Sequence, residues 1–89
     1  MSKAGVVLDD CREILRQRGE QYGDSKKIFT AIASMWSAYT GSDIRADDVC
    51  VMMALMKIGR LSQGVDDPNA LHDTYVDAIN YIALARGLD

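Results

Sequence analysis

Two cations and two carboxylates stand at helical spacing in a chain rich in apolar residues: Lys57 and Arg60 three apart, Asp73 and Asp77 four apart. Side chains three or four residues apart share one face of a helix. Lys57 and Arg60 interrupt a segment, Val49 to Leu61, that is apolar on nearly every side. Charges on such a helix need partners. If Gly64-Val65-Asp66-Asp67-Pro68 turns the chain, two helices form an antiparallel hairpin in which Arg60 faces Asp73 and Lys57 faces Asp77. Such a ladder can serve as interhelical salt bridges that set register. It can also hold a charged ligand, with Lys57 and Arg60 on phosphate and Asp73 and Asp77 orienting them or accepting hydrogen bonds from a base.

Further groups fit the second use. Tyr22, Trp36, His72, Tyr75 and Tyr81 offer aromatic surface for stacking a base. Lys26 and Lys27 fall in the first turn of an expected helix, where the macrodipole disfavours cations, so they are either two solvated lysines or part of an anion site. Other chemistries lack their residues. His72 is the single histidine, which excludes a multi-histidine zinc site within one chain. No serine or cysteine stands with it and an orienting acid at triad spacing. Neither GxGxxG nor a glycine loop ending in GK[ST] occurs. Cys11 and Cys50 sit in apolar helical settings and read as reduced core thiols.

Four helices must position these groups. The first is expected from Leu8 or Asp9 to a stop at Gly19, leaving residues 1–7 flexible, with Leu8, Cys11, Ile14 and Leu15 inward. The second follows a cap at Asp24 or Ser25, carries Ile28, Phe29, Ile32, Met35, Trp36 and Tyr39 as its apolar stripe, and ends at Gly41. The third spans about Ala46 to Gln63 before Gly64. The fourth spans about Asn69 to Arg86, with Leu71, Tyr75, Ala78, Ile82 and Ala85 as its core stripe and Gly87 as its stop. Strand alternation is missing throughout. The expected fold is an all-α antiparallel four-helix bundle formed by one domain over 1–89.

Eighty-nine residues bury too small a fraction of their surface for ample stability alone, and 48% of them are hydrophobic. A homo-oligomer is therefore expected, with Trp36, Met52, Met53 or Met56 in its shared surface. The net charge of −3 offers no global field for duplex nucleic acid. No run reaches a signal-peptide core or a membrane span, so the expected compartment is the cytoplasm.

Several separated strings, Arg18-Gly19-Glu20-Gln21-Tyr22-Gly23-Asp24, Lys57-Ile58-Gly59-Arg60 and Asp73 through Asp77 to Tyr81, make the chain resemble a family of small bacteriophage proteins of unknown function. That family's pattern is RGxxYGD, KxxR and DxxxDxxxY. It looks like a distant, shortened relative of MazG-like all-α nucleoside triphosphate pyrophosphohydrolases and of phage domains associated with nucleotide modification. The resemblance implies a nucleotide held between helices of an oligomer, and adds Arg18 and Tyr22 to the candidate ligand residues, with Tyr22 closing over the base. MazG-like enzymes hold Mg²⁺ on two acidic pairs. Asp73 and Asp77 fall at the second pair, but Lys57 and Arg60 stand where the first would be. Cations there repel a metal and attract phosphate.

The function expected is thus capture of a nucleotide or cyclic-nucleotide signal without hydrolysis, as a sponge countering host defence in the infected cell's cytoplasm. No cofactor is needed, no catalytic residue is assigned, and neither a membrane nor duplex nucleic acid is a partner. One alternative is a divergent Mg²⁺-dependent pyrophosphohydrolase whose metal site is completed by Asp47, Asp48, Asp66 or Asp67. The other is a protein-interaction module in which the charges only set register.

Overall fold

The computed structural model describes residues 2–22 and 24–88, apart from the side chains of Gln21 and Tyr22. The described residues form four α-helices and no strand: α1 (Lys3–Tyr22), α2 (Ser25–Thr40), α3 (Ala46–Ser62) and α4 (Pro68–Gly87). None is long and apolar enough to cross a membrane.

Local chemistry explains the ends. Asp24 caps α2 by accepting from the Lys26 amide at 3.0 Å, and Gly41 closes it at φ 73°, a left-handed conformation that glycine adopts without a Cβ clash. Asp48 accepts from the Arg45 amide at 2.9 Å at the start of α3, and Asp67 accepts from the Asn69 amide at the start of α4. Pro68 then occupies the first turn of α4, where its missing N–H matters least.

Helix α1 departs from expectation at both ends. It starts at Lys3, because the Ser2 hydroxyl accepts from the Gly5 amide at 3.0 Å and caps it, so residues 3–7 are helical. It also runs through Gly19 to Tyr22. Arg16 bridges Glu13 at 2.6 Å and Glu20 at 2.8 Å across that stretch, and the helical ladder passes the glycine.

Helices α3 and α4 make the most extensive packed pair; α2 lies on α3, α1 lies on α4, and α1 and α2 scarcely touch each other. The centre is built from small side chains. Val49, Cys50 and Ala54 of α3 and Thr74, Val76 and Ala78 of α4 are buried, with Cys11 of α1 and Ala33 of α2. This corrects the large-residue stripes in part: Cys11 and Ala78 are buried and Ile14, Leu15, Phe29, Ile32 and Trp36 are half-buried, whereas several of the other large residues are not. Leu71, Tyr75 and Ile82 are exposed on α4, as are Leu8 on α1 and Ile28, Met35 and Tyr39 on α2. Short side chains let the helix axes approach closely, and the bulky ones are turned outward or to the cleft.

Both thiols are free and buried, and the Cys11 S–H points to the Val76 carbonyl at 3.9 Å. Burial pushes each above its ordinary value of 9.0, with Asp10 adding to the effect at Cys11 and Asp47 at Cys50. Fewer thiolates form at neutral pH, so alkylation of the native protein should run roughly tenfold or more slower than in urea. Because the folded values are raised, their contribution to stability is fully present below the unfolded pKa and is lost as pH rises through the folded one. Rapid labelling of the native protein at pH 7, followed by mass spectrometry, would contradict this placement.

Candidate functional site

The α3–α4 hairpin brings Lys57 and Asp77 together as the spacing predicts. Lys57 Nζ lies 3.0 Å from Asp77 Oδ2, and the two side chains are 15% and 18% exposed. Arg18 reaches the other carboxylate oxygen from α1, with Nη2 3.7 Å from Oδ1, while its own side chain stays 54% exposed. One carboxylate therefore joins cations from two different helices, one per oxygen.

The second rung is not formed. Arg60 and Asp73 are both exposed, and among the described residues no ion pair within 4.0 Å links them. The three-residue step from Lys57 turns Arg60 by about 60° around α3, and the four-residue step from Asp77 turns Asp73 by about 40° around α4. Both leave the seam for solvent. Lys26 is exposed and lines a separate shallow depression of 230 Å³ with Arg45, Ala46, Asp47 and Leu88. The Tyr22 side chain lies outside the described residues.

Where α1 and α2 diverge, a cleft of 380 Å³ opens, with walls from all four helices. Helix α1 contributes Leu15, Arg18 and Gly19, and α2 contributes Ser25, Ile28, Phe29, Ile32 and Trp36. Met53 of α3 and Asp77, Asn80, Tyr81 and Leu84 of α4 complete the lining. Its size falls within the range of about 300 to 1,000 Å³ that holds small organic ligands. Phe29 and Tyr81 meet edge to face, with ring centroids 6.4 Å apart and planes at 73°. This leaves an aromatic wall beside a charged group. Of the expected ligand residues, Arg18 and Asp77 face the cleft, Lys57 holds Asp77 from α3, and Arg60, Asp73 and Lys26 do not line it.

Asn80 is the polar residue that sequence reasoning missed. It is 6% exposed, and its Nδ2 donates to the Cys11 carbonyl at 3.1 Å, tying α4 to α1. Its Oδ1 is buried with no hydrogen-bond partner among the described residues. A single amide within the otherwise apolar stretch 78–85 was the available signal. His72, partly exposed near the start of α4, makes a second cross-link of the same helices, Nε2 to Asp10 Oδ2 at 2.7 Å.

Among the described residues no group of three or more His, Cys, Asp or Glu converges where a metal ion could be held. Asp48 and Asp67 are engaged as caps and Asp47 pairs with Arg45 at 3.2 Å, so these carboxylates stabilise helix starts.

Comparison with known proteins places this architecture in a phage context. The chain is 40% identical over 78 residues to the Gene 55 protein of Mycobacterium phage L5, a match covering 84% of this chain and 47% of that protein. It thus spans about half the length of this curated relative. No solved structure matches the chain. Residues 6–89 match a family described as a domain of unknown function, DUF6378, and the chain belongs to that family.

Proposed function

We propose that this domain is a phage-type binding protein that captures a nucleotide or cyclic nucleotide without hydrolysing it, working as a homo-oligomer. The observation that supports this reading is the cleft between α1 and α2, which sets the Phe29–Tyr81 wall beside Arg18 and Asp77. A base fits the apolar part, where stacking on an aromatic wall contributes. The Arg18 guanidinium, largely exposed at the cleft wall, suits a phosphate through charge-assisted hydrogen bonds. Lys57 is committed to Asp77, so its role is to hold that carboxylate in place. Arg60 belongs to the site only if the ligand extends beyond the cleft.

The architecture is read as a shortened relative of the MazG-like domains that kept the space between helices and lost the metal. A metal site would need several oxygen ligands converging on one ion. Asp77 faces two cations instead. A sponge for a host defence signal needs affinity and copy number and no turnover.

The test is mass spectrometry of small molecules released by heating the purified protein, with a parallel incubation of nucleoside triphosphates and Mg²⁺. An intact nucleotide in the released fraction is expected, and the triphosphates should remain uncleaved. Pyrophosphate release dependent on Asp77 would replace this reading with the Mg²⁺-dependent pyrophosphohydrolase. No bound or titratable nucleotide would leave the interaction module.

A further inference from the structure

On the side of the α3–α4 hairpin away from the cleft, large apolar side chains remain partly exposed. Val51, Leu55 and Ile58 on α3 and Tyr75, Ile79 and Ile82 on α4 are each more than a third exposed. Each trio occupies about 60° of its helix surface at roughly 100° per residue. The α4 trio points away from Asp77, Asn80, Tyr81 and Leu84, and the α3 trio points away from Met53, all of which line the cleft. The two stripes therefore share one side of the hairpin and make one patch.

We infer that this face is the interface of a homodimer, seated against a second copy of the same chain about a two-fold axis. The area fits that occupant. The chain exposes 6381 Å², whereas a compact monomer of 9.8 kDa exposes about 5,200 Å². The surplus exceeds the roughly 800 Å² that each partner buries in a standard interface. The radius of gyration points the same way, at 14.1 Å against about 12 Å for a compact domain of this length. Neither trio contains a charge, so a self-complementary isologous contact leaves no ion unmatched.

Gly59 is compatible with this occupant. It stands inside α3 next to Ile58 and one turn beyond Leu55, and a Cβ built on it meets nothing within 4 Å. Glycine in a helix interior weakens the helix relative to alanine, and nothing within the protomer requires the missing side chain. The open space there would admit a partner helix crossing at short range. Of the residues expected from sequence in a shared surface, Met52 is exposed beside the patch, Met56 is exposed farther round α3, and Trp36 and Met53 line the cleft.

Light scattering and sedimentation of the full chain at micromolar concentration test the inference without reference to any ligand. The wild type should have twice the mass of one chain. Gly59→Arg places a long cation where the protomer leaves open space, so its circular dichroism should match the wild type while dimer affinity falls at least a hundredfold. Leu55→Glu, at a position 59% exposed, should give the same result and serves if Gly59→Arg loses helical signal. A wild-type monomer overturns the inference, and so does a dimer that survives both substitutions. Nucleotide release on heating is a separate readout, so failure of the ligand reading leaves this one standing.

Discussion

Replacing Lys57 with methionine should lower the melting temperature by roughly 10 to 20 °C, because it leaves Asp77 mostly buried with only the longer 3.7 Å contact to Arg18. Breaking a buried pair from one side costs about 3 kcal/mol or more, whereas removing both partners is often neutral. The double change Lys57→Met with Asp77→Leu should therefore recover most of the loss. Arg60→Met is the control. Arg60 is exposed and has no ion pair with Asp73, so its replacement should alter stability by no more than about 0.5 kcal/mol. Thermal and urea unfolding of the four proteins check the pattern. A Lys57→Met variant that melts within about 2 °C of the wild type would show that the Lys57–Asp77 contact does not hold the hairpin.

That contrast between two cations three residues apart marks how far the sequence could be read. Features written in a few adjacent residues were legible: the Asp24 cap, the Gly41 and Gly64 turns, the start of α4 around Asp67 and Pro68, and the register that joins Lys57 to Asp77. Each depends on local hydrogen bonding or on one short hairpin. The direction in which α3 and α4 face was not legible. Both carry apolar residues around most of their circumference, so periodicity does not say which side is inward. Size then misleads. The larger residues Leu71, Tyr75 and Ile82 looked like core, while packing selected Thr74, Val76 and Asn80 beside the expected Ala78. The start of α1 lies earlier than expected because the cap is Ser2, whose hydroxyl accepts from the Gly5 amide, and the apolar spacing that marked the helix begins only at Leu8. The cleft could not be foreseen at all, because it exists only where α1 and α2, each packed on a different central helix, fail to meet.

Arg18→Ala should separate binding from folding in the direction opposite to Lys57→Met. Its side chain is 54% exposed and its contact with Asp77 is long, so an exposed pair of this kind contributes at most about 1 kcal/mol and the fold should persist. At the cleft wall the same guanidinium is the cation available to a phosphate. Losing a charge-assisted contact of about 2 to 3 kcal/mol weakens nucleotide affinity by roughly 30- to 150-fold. Salt distinguishes this from a packing effect: wild-type affinity should fall with ionic strength, and the variant should lose most of that dependence. Arg18→Lys should recover only part, since an ammonium cannot offer the planar two-donor fork. Leu15→Trp probes the other end of the ligand by filling the apolar part of the cleft while leaving Arg18 in place. It should weaken binding and keep the salt dependence of whatever binding remains. Titration calorimetry with the nucleotide recovered from the protein measures all four proteins. If Arg18→Ala binds with wild-type affinity and wild-type salt dependence, the phosphate does not lie at Arg18, and the assignment of the cleft to a nucleotide fails with it.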